Sequence, residues 1–381
     1  MCLSVFAMSS DSKTELIRQI EKVRDSRVIT YVTSDRPNLY FQIGGDTPRL
    51  FYDHLMDIEQ KIPRLDLFLY SAGGDSSVPW RVVSLFREFA DEFNVLVPYR
   101  AYSAATMIAL GADSVVMGRK AELGPIDPTV SNDFNPLDPV TKTKRLGISV
   151  EDVISYFNLV KDKAGLVDQP QVAQAFDALT KLVHPVALGN VNRHYSFIRM
   201  VATKLLACHK RPPSEETIEE IVRNLIERIY FHGHGIARKE AKELKLDVVE
   251  PKRELEELMW KLYLEYEDAL QLTRPFNPED VLDSVGTDEH VLKDMEGAFI
   301  DSKRHSHAFK TDVKIFAKRA IPQNLSLSLN LQVPPTPQLT PQQVQQLQQA
   351  IQRMIQDQLR QQSPVEGFNV RLANARWERT R

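Results

Sequence analysis

The most constraining feature of this sequence is a regular alternation of strand-like and helix-like segments between residues 27 and 117. Short runs rich in β-branched and apolar residues recur there, and the segments between them carry apolar residues every three or four positions. The strand-like runs are RVITYVT, RLDLFLY, NVLVPYR and DSVVMG. A helix between two such strands carries the chain back, so that the next strand runs parallel to the first. The alternation therefore predicts an α/β core of βαβ units, with a mainly parallel sheet covered by helices.

Beyond about residue 135 the pattern changes, and helical periodicity dominates up to residue 230. A helix-to-strand run and a long helix follow, and the alternating residues 297–321 predict a β-hairpin. The domains that we expect are an N-terminal segment (1–24), the core (25–250), a helix and hairpin extension (251–332), and a linker with a short amphipathic helix and a basic tail (333–381).

The last of these segments is rich in proline and glutamine. Residues 333–341 read as a proline-rich linker, and 11 of the 22 residues from Pro341 to Gln362 are glutamine. Apolar residues nevertheless recur in that stretch at a spacing of three, four and three, at Val344, Leu347, Ile351 and Met354. This spacing predicts a short coiled-coil seam, which offers a surface for self-association.

The composition suits a globular protein, since 43% of the 381 residues are hydrophobic and 26% are charged. The net charge of −3 gives no electrostatic reason to expect a nucleic-acid partner. The two cysteines, Cys2 and Cys208, are far apart, which disfavours a disulfide framework and favours a reducing compartment. No apolar run approaches the roughly 18 residues that a membrane span needs. We expect a soluble, cytoplasmic protein, and its association with membranes stays open.

Two junctions of small residues suggest chemistry. The run LYSAGGD ends a predicted strand at Gly73 and Gly74, where the backbone can approach a ligand closely and leave N–H groups free. Ser103 stands between a predicted strand and a helix, where the N–H of Ala104 is also unpaired. Because the carboxyl ends of parallel strands meet at one edge of a sheet, we expect a serine hydroxyl beside a pair of N–H donors. Singly, a Gly-Gly pair reads as a plain turn and the serine as an N-cap.

Four segments carry a resemblance to a known superfamily, two at these junctions and two further along the chain. They are YSAGGDSSVPWRVVSLFREF, YSAATMIALGADSVVMGRKAELGPIDP, HPVALGNVNRHYSFIRMVATKLL and HGHGIARKEAKELKLDVVE. Over roughly residues 25–250 the chain resembles the Clp-protease and signal-peptide-peptidase superfamily, with its Clp/crotonase-like fold, and in particular the serine dehydrogenase proteinase family. The resemblance implies peptide-bond hydrolysis with Ser103 as the nucleophile. It also implies an oxyanion hole formed by the N–H groups of Gly74 and Ala104, with Gly73 in the supporting turn.

The general base departs from this pattern. Where Clp-type proteases carry a histidine, this chain has GPIDP, with Ile126 and Asp127, and signal-peptide peptidases use a lysine from further along instead. The neighbouring candidates are His184, whose pKa range suits a base at neutral pH, and Lys181, which needs desolvation. We expect His184 in preference to Lys181. Two structural interpretations stay open: His184 starts a helix before Pro185, and Asp127 caps a turn rather than orienting the base.

Two other functions stay open, a crotonase-type enzyme acting on acyl-CoA and a catalytically silent Clp-like scaffold. We expect no cofactor and no metal, because the histidine pairs His232/His234 and His305/His307 lack cysteines or carboxylates at familiar zinc spacing. The resemblance implies a homo-oligomer that takes a protein or peptide substrate. Whether a regulatory or ATP-driven unfoldase partner assists it stays open.

Overall fold

The structure is a computed structural model that divides into two compact units. The residues that it describes are 5–126, 129–130, 132–139, 142, 144–228, 234–320 and 340–381. The first unit comprises Met1–Pro275, Glu296–Phe309 and Trp377–Arg381, and the second comprises Phe276–Met295 and Lys310–Arg376. Asp127, His232 and most of the predicted linker, 333–339, lie outside the described residues. The domain boundaries drawn from the sequence stay predictions.

The described part of the chain contains twelve α-helices and thirteen strands. The helices are α1 Val5–Arg24, α2 Thr47–Leu55, α3 Val78–Phe89, α4 Ala104–Leu110, α5 Val150–Asn158, α6 Gln169–Leu182, α7 Pro185–Ala207, α8 Glu215–Arg223, α9 Arg238–Glu243, α10 Arg253–Ala269, α11 Pro278–Val285 and α12 Pro341–Gln362. Short π-helical turns follow α5 and α8, at Leu159–Lys163 and Asn224–Arg228. The strands are β1 Arg27–Thr33, β2 Ile62–Tyr70, β3 Ala90–Val97, β4 Arg100–Ala101, β5 Ser114–Met117, β6 Glu122–Leu123, β7 Thr129–Val130, β8 Ile148–Ser149, β9 Ile236–Ala237, β10 Val248–Val249, β11 Glu289–Ser302, β12 Ser306–Arg319 and β13 Val365–Arg379.

The main sheet confirms the predicted α/β core. Its strand order is β10-β5-β3-β2-β1-β11-β12-β13. The first five strands are parallel, with Ile29 opposite Leu67 and Leu67 opposite Val95. β11 then pairs antiparallel with β1, with Ile29 opposite Ser302. The last three strands have residues in both units, and the part of each that belongs to the first unit is Glu296–Ser302, Ser306–Phe309 and Trp377–Arg379.

Two apolar layers cover the parallel sheet, one on each face. Successive residues of a strand point to opposite faces, so Ile29 and Tyr31 pack into one layer and Val28 and Val32 into the other. The first layer contains α2, α3, α4 and the carboxyl-terminal half of α7. The second layer contains α1 and α10. Both faces are buried, which is why the strands read as nearly continuous apolar runs.

A small three-stranded sheet in the first unit has the order β4-β6-β9. Its first strand, β4, follows shortly after β3 in the sequence. β4 runs parallel to β6, with Arg100 opposite Glu122, and β9 pairs antiparallel with β6. Ser71, directly after β2, also forms a bridge to Ala101 of β4. This small sheet therefore ties the end of β2 to the segment that leads into Ser103.

The second unit contains α11, α12 and the remaining parts of β11, β12 and β13. The predicted hairpin is confirmed, because β11 and β12 are neighbours in the sheet. The glutamine-rich segment forms α12, on which Leu347 and Met354 are 44% and 67% exposed. Self-association through this helix stays a prediction. Among the described helices, none has the length and apolar character needed to cross a bilayer.

A buried pair of histidines in the first unit predicts a loss of stability in acid. His54 of α2 is 1% exposed, and its ring nitrogens lie 2.9 Å from Ser302 Oγ and 2.9 Å from His307 Nδ1. Burial, with smaller contributions from His307 and His305, lowers the pKa of His54 to about 3. Below about pH 6.5 the unfolded chain binds a proton that the folded chain rejects. The free energy of unfolding should therefore fall as pH drops from about 6.5 towards 3, by up to about 1.4 kcal/mol per pH unit from this group.

Urea denaturation of the wild type and of His54→Gln between pH 7 and pH 5 checks this expectation. His54→Gln should have the shallower dependence on pH, whatever its stability at pH 7. His290→Gln, at a partly exposed position of β11, is the matched control and should keep the wild-type slope. Equal slopes for His54→Gln and the wild type would contradict the assignment.

Candidate active site

Ser103 occupies a strained turn between β4 and α4. Its backbone has φ 52° and ψ −114°, and it stands at the N-cap position of α4 without a side-chain capping bond. A residue with a Cβ adopts such positive φ angles at a cost of about 1–3 kcal/mol, and this strain persists only where the surroundings enforce it. A sharp strand-to-helix turn of this kind presents a nucleophilic side chain at the end of a sheet. The Ser103 side chain is half-buried, and its Oγ has no hydrogen bond within the described residues.

Hydrogen bonds on both sides of Ser103 hold the turn. The N–H of Tyr102 donates to Ser71 O at 2.9 Å, and the N–H of Ala105 donates to Tyr102 O at 2.9 Å. The fully buried hydroxyl of Thr106 lies 2.7 Å from Ala101 O and accepts the Gly124 N–H at 3.0 Å. These bonds fix the residues before and after Ser103, so its strained backbone cannot relax independently of them.

The side chain of Tyr102 adds a third restraint. Its hydroxyl donates to Glu122 Oε2 at 2.7 Å, and burial together with this bond raises the pKa of Tyr102 above its usual range. A Cβ at Gly124 would lie 3.0 Å from the Tyr102 ring, so the two segments are in close contact. Tyr102 therefore anchors the turn to β6 as a neutral phenol.

The Gly73–Gly74 turn lies directly against Ser103. Gly73 has φ +111° and Gly74 has φ +150°, both in the region that favours glycine. A Cβ at Gly73 would lie 2.8 Å from the Ser103 Cβ and 3.3 Å from its Oγ. A Cβ at Gly74 would lie 2.4 Å from Ile43 O, which is closer than two such atoms approach. Glycine is therefore required at both positions, at Gly73 by the close approach of Ser103 and at Gly74 by the backbone of Ile43.

The N–H groups of Gly74 and Ala104 are available as donors. Neither makes a hydrogen bond within the described part of the chain. The adjacent polar groups are engaged: Gly73 O accepts the Ile43 N–H at 2.8 Å, and Gly73 N–H donates to Ser71 Oγ at 3.1 Å. Two free N–H groups next to a serine hydroxyl are what an oxyanion hole requires.

The predicted bases lie on exposed segments and have other partners. Lys181 pairs with Asp177 one turn earlier on α6, at 2.6 Å, and its side chain is 71% exposed. His184 caps α7, because its Nδ1 accepts the Val186 N–H at 3.1 Å. Neither side chain forms a hydrogen bond with Ser103 in this structure. Their role as base stays a prediction, as does the role of Asp127, which lies outside the described residues.

Two residues that the sequence did not single out, Ser71 and Thr33, hold the Gly73–Gly74 turn through hydrogen bonds. Ser71 is fully buried, and its Oγ accepts the hydroxyl proton of Thr33 at 2.8 Å as well as the Gly73 N–H. Its position two residues before Gly73, in YSAGG, is the only signal in the sequence. Thr33 ends β1 and gives no local signal, because its contact with Ser71 depends on the pairing of β1 with β2.

Within the described residues, no group of three or more histidine, cysteine or acidic side chains is arranged to hold a metal ion. His234 forms a bond of 2.8 Å with Glu240. His305 and His307 lie beside His54, with ring centroids 5.8 Å and 5.0 Å from that of His54. These histidines are therefore engaged with protein groups.

Comparisons with known proteins agree with this geometry. Residues 6–144 match the model of a family described as ClpP-like SDH-type serine proteinase. The chain is 25% identical over 246 residues to the uncharacterized protein MJ0137 of Methanocaldococcus jannaschii, over 62% of this chain and 73% of that protein. It is 26% identical over 123 residues to the uncharacterized protein MJ1495 of the same organism, over 30% of this chain and 41% of that protein.

The family match covers the glycine turn and the serine turn, whereas Lys181 and His184 lie beyond it. At family level it supports a serine peptidase with a ClpP-like fold, in agreement with the resemblance found in the sequence. Over residues 6–144 the chain is therefore similar to the family of ClpP-like SDH-type serine proteinases.

Proposed function

We propose that this chain is a serine peptidase in which Ser103 attacks the carbonyl carbon of a peptide bond. The observation that carries the proposal is the strained backbone of Ser103, held against a two-glycine turn with two free N–H donors beside it. Strain of this kind is concentrated at functional sites. The family match over residues 6–144 supports the same reaction class.

In the proposed reaction each of these groups has one role. As Ser103 Oγ bonds to the carbonyl carbon, its proton passes to the base and the carbonyl oxygen becomes an oxyanion. The N–H groups of Gly74 and Ala104 stabilise that oxyanion. When the intermediate collapses, the C–N bond breaks and the leaving amine takes the proton from the base. Water then attacks the ester in the same way and releases Ser103.

For the base we propose His184, with Lys181 as the alternative. Either must first leave its present partner. The Nδ1 of His184 accepts a hydrogen bond, so in the neutral ring the proton is on Nε2, and the ring has to give up this bond before either nitrogen accepts a proton. Lys181 has to give up its ion pair with Asp177 and lose a proton, which burial favours.

The remaining properties are also proposals. The substrate is a protein or peptide, and the chain acts as a homo-oligomer in the cytoplasm. The apolar seam on α12 is a candidate contact surface for the oligomer, because Leu347 and Met354 are exposed there. A regulatory or unfoldase partner would supply substrate to a chain that carries no nucleotide-binding motif of its own.

Labelling with a fluorophosphonate probe tests the proposed function. Wild-type protein should be modified at Ser103, located by mass spectrometry of proteolytic fragments, and Ser103→Ala should not be modified. Addition of a long-chain acyl-CoA should not protect Ser103, whereas a crotonase-type site should bind it. A folded wild type that the probe does not modify would overturn the proposal in favour of a silent scaffold.

A further inference from the structure

We propose that the end of the last strand positions the oxyanion hole. Three aromatic side chains, Phe41, Phe309 and Trp377, form a contact series that we call the aromatic clamp. The clamp holds residues 41–46, and the backbone of Ile43 within that segment fixes the direction of the Gly74 N–H. This inference rests on the proposed function, because it concerns the same oxyanion hole.

The backbone of Ile43 holds the peptide bond between Gly73 and Gly74. The Ile43 N–H donates to Gly73 O at 2.8 Å, and Asp75 N–H donates to Ile43 O at 2.9 Å. In a planar trans peptide, the C=O and the following N–H point in opposite directions. Since Gly73 O faces Ile43, the Gly74 N–H must point away from Ile43. The hydroxyl of Ser71 also donates to Gly73 O, at the longer distance of 3.4 Å. If Ile43 moves, Gly73 O loses its shorter bond, and this glycine peptide rotates more easily and withdraws the donor.

The segment that carries Ile43 is held at one end by Phe41. Phe41 is 7% exposed, and its N–H donates to Ser34 O at 2.7 Å. Ser34 N–H in turn donates to Gly297 O of β11 at 2.9 Å. The Phe41 ring lies on Gly297 so closely that a Cβ there would be 2.6 Å from the ring, and it meets the Phe309 ring edge to face with centroids 5.9 Å apart. One end of the segment is therefore packed on β11 and β12.

Trp377 holds the other end of this segment, and it lies in the part of β13 that belongs to the first unit. Its ring meets Phe309 edge to face at 5.4 Å between centroids. Its indole N–H donates to Asp46 Oδ2 at 2.8 Å, at the N-cap position of α2. The segment is thus held at Phe41 by packing and at Asp46 by a hydrogen bond, with Ile43 between them. The carboxyl-terminal strands are in this way connected to the catalytic turn.

A double-mutant cycle on the Trp377–Asp46 bond tests the clamp. Trp377→Phe removes the indole N–H and keeps an aromatic ring, and Asp46→Ala removes the acceptor. For each we expect the limiting rate constant of probe labelling at Ser103 to fall about three- to tenfold, as loss of one hydrogen bond allows. The probe concentration for half-maximal rate should not change, because the oxyanion hole acts in the transition state. The double variant should lose no more than the larger single loss.

Two controls and one further variant separate positioning from general damage. Asp46→Asn keeps an oxygen acceptor and should label at close to the wild-type rate. Trp260→Phe removes an indole N–H at a 38% exposed position of α10 and should leave labelling unchanged. Gly297→Ala, whose Cβ would displace the Phe41 ring, should lower the labelling rate more than Trp377→Phe does. Additive losses, or a labelling rate that neither Trp377→Phe nor Asp46→Ala changes, would overturn the proposal.

Hydrogen exchange separates this inference from the proposed function. The Ile43 amide hydrogen should exchange faster in Trp377→Phe than in the wild type, because its bond to Gly73 O opens more often. This readout does not depend on any reaction at Ser103. If the wild type is not labelled but Ile43 exchange responds, the clamp stands and the peptidase assignment fails. Equal exchange in the two proteins would overturn the clamp even where labelling occurs.

Discussion

Replacement of Gly74 by alanine should lower the rate constant for labelling of Ser103 by about 10²–10³-fold, the loss expected when one oxyanion donor is removed. The new Cβ would lie 2.4 Å from Ile43 O and 2.5 Å from Ile43 N, and both are backbone atoms that no rotamer change can move. Residue 74 also has φ +150°, which a side chain disfavours. The turn must therefore shift, and the Gly74 N–H shifts with it. Labelling kinetics with the fluorophosphonate probe measure the effect.

Gly165→Ala is the matched control, because Gly165 also has positive φ, at +68°, but has no atom within 4 Å of the added Cβ. It carries the same kind of backbone strain without the collision, and its labelling rate should stay within about twofold of the wild type, as for a surface change away from the site. Circular dichroism and the melting temperature report whether Gly74→Ala remains folded. A folded Gly74→Ala that is labelled at the wild-type rate would remove Gly74 from the oxyanion hole.

The parallel core and the serine turn were predictable because their signals are local. The alternation of apolar runs with amphipathic segments specifies β1, β2, β3 and β5, and the small residues after β2 and around Ser103 mark the two turns. Parallel topology then brings Gly73 and Ser103 together without any further information. The strain at Ser103 was not predictable, because it depends on bonds from Ser71 and Thr106 that fix the segment on both sides.

The pairing of β11 with β1 was not predictable, because its signals are not local. The pairing of Ile29 with Ser302 joins residues that are far apart in the chain, and nothing in either segment specifies the other. The contacts of Phe41 with Gly297 and Phe309 have the same character. The proposed bases show a further limit, since His184 and Lys181 were chosen from residue type and position along the chain, and a proton transfer depends on spatial contact with Ser103.

Asp66 is a carboxylate inside the buried strand β2, and it carries the second large effect. It is 0% exposed, and it lies opposite Val28 on the face covered by α1 and α10. Its carboxylate accepts bonds from Arg24 Nε at 2.8 Å, Ser26 Oγ at 2.8 Å and Asn94 Nδ2 at 3.0 Å. Asp66→Ala would leave the 15% exposed Arg24 guanidinium without its counter-charge. We expect the free energy of unfolding to fall by about 3–5 kcal/mol, the range for removing one partner of a buried pair.

Asp53→Ala makes the same substitution at the surface, where Asp53 pairs with Arg49 one turn away on α2 and the two side chains are 34% and 71% exposed. Its effect should stay within about 0.5 kcal/mol, because water solvates both charges after the pair is broken. Urea denaturation at pH 7 measures both variants. Each variant removes one carboxylate paired with one arginine, so the contrast reports the burial of Arg24 together with the loss of the bonds from Ser26 and Asn94. A loss of less than about 1 kcal/mol in Asp66→Ala would mean that water reaches Arg24, and that α1 is not fixed to β2 and β3 through this carboxylate.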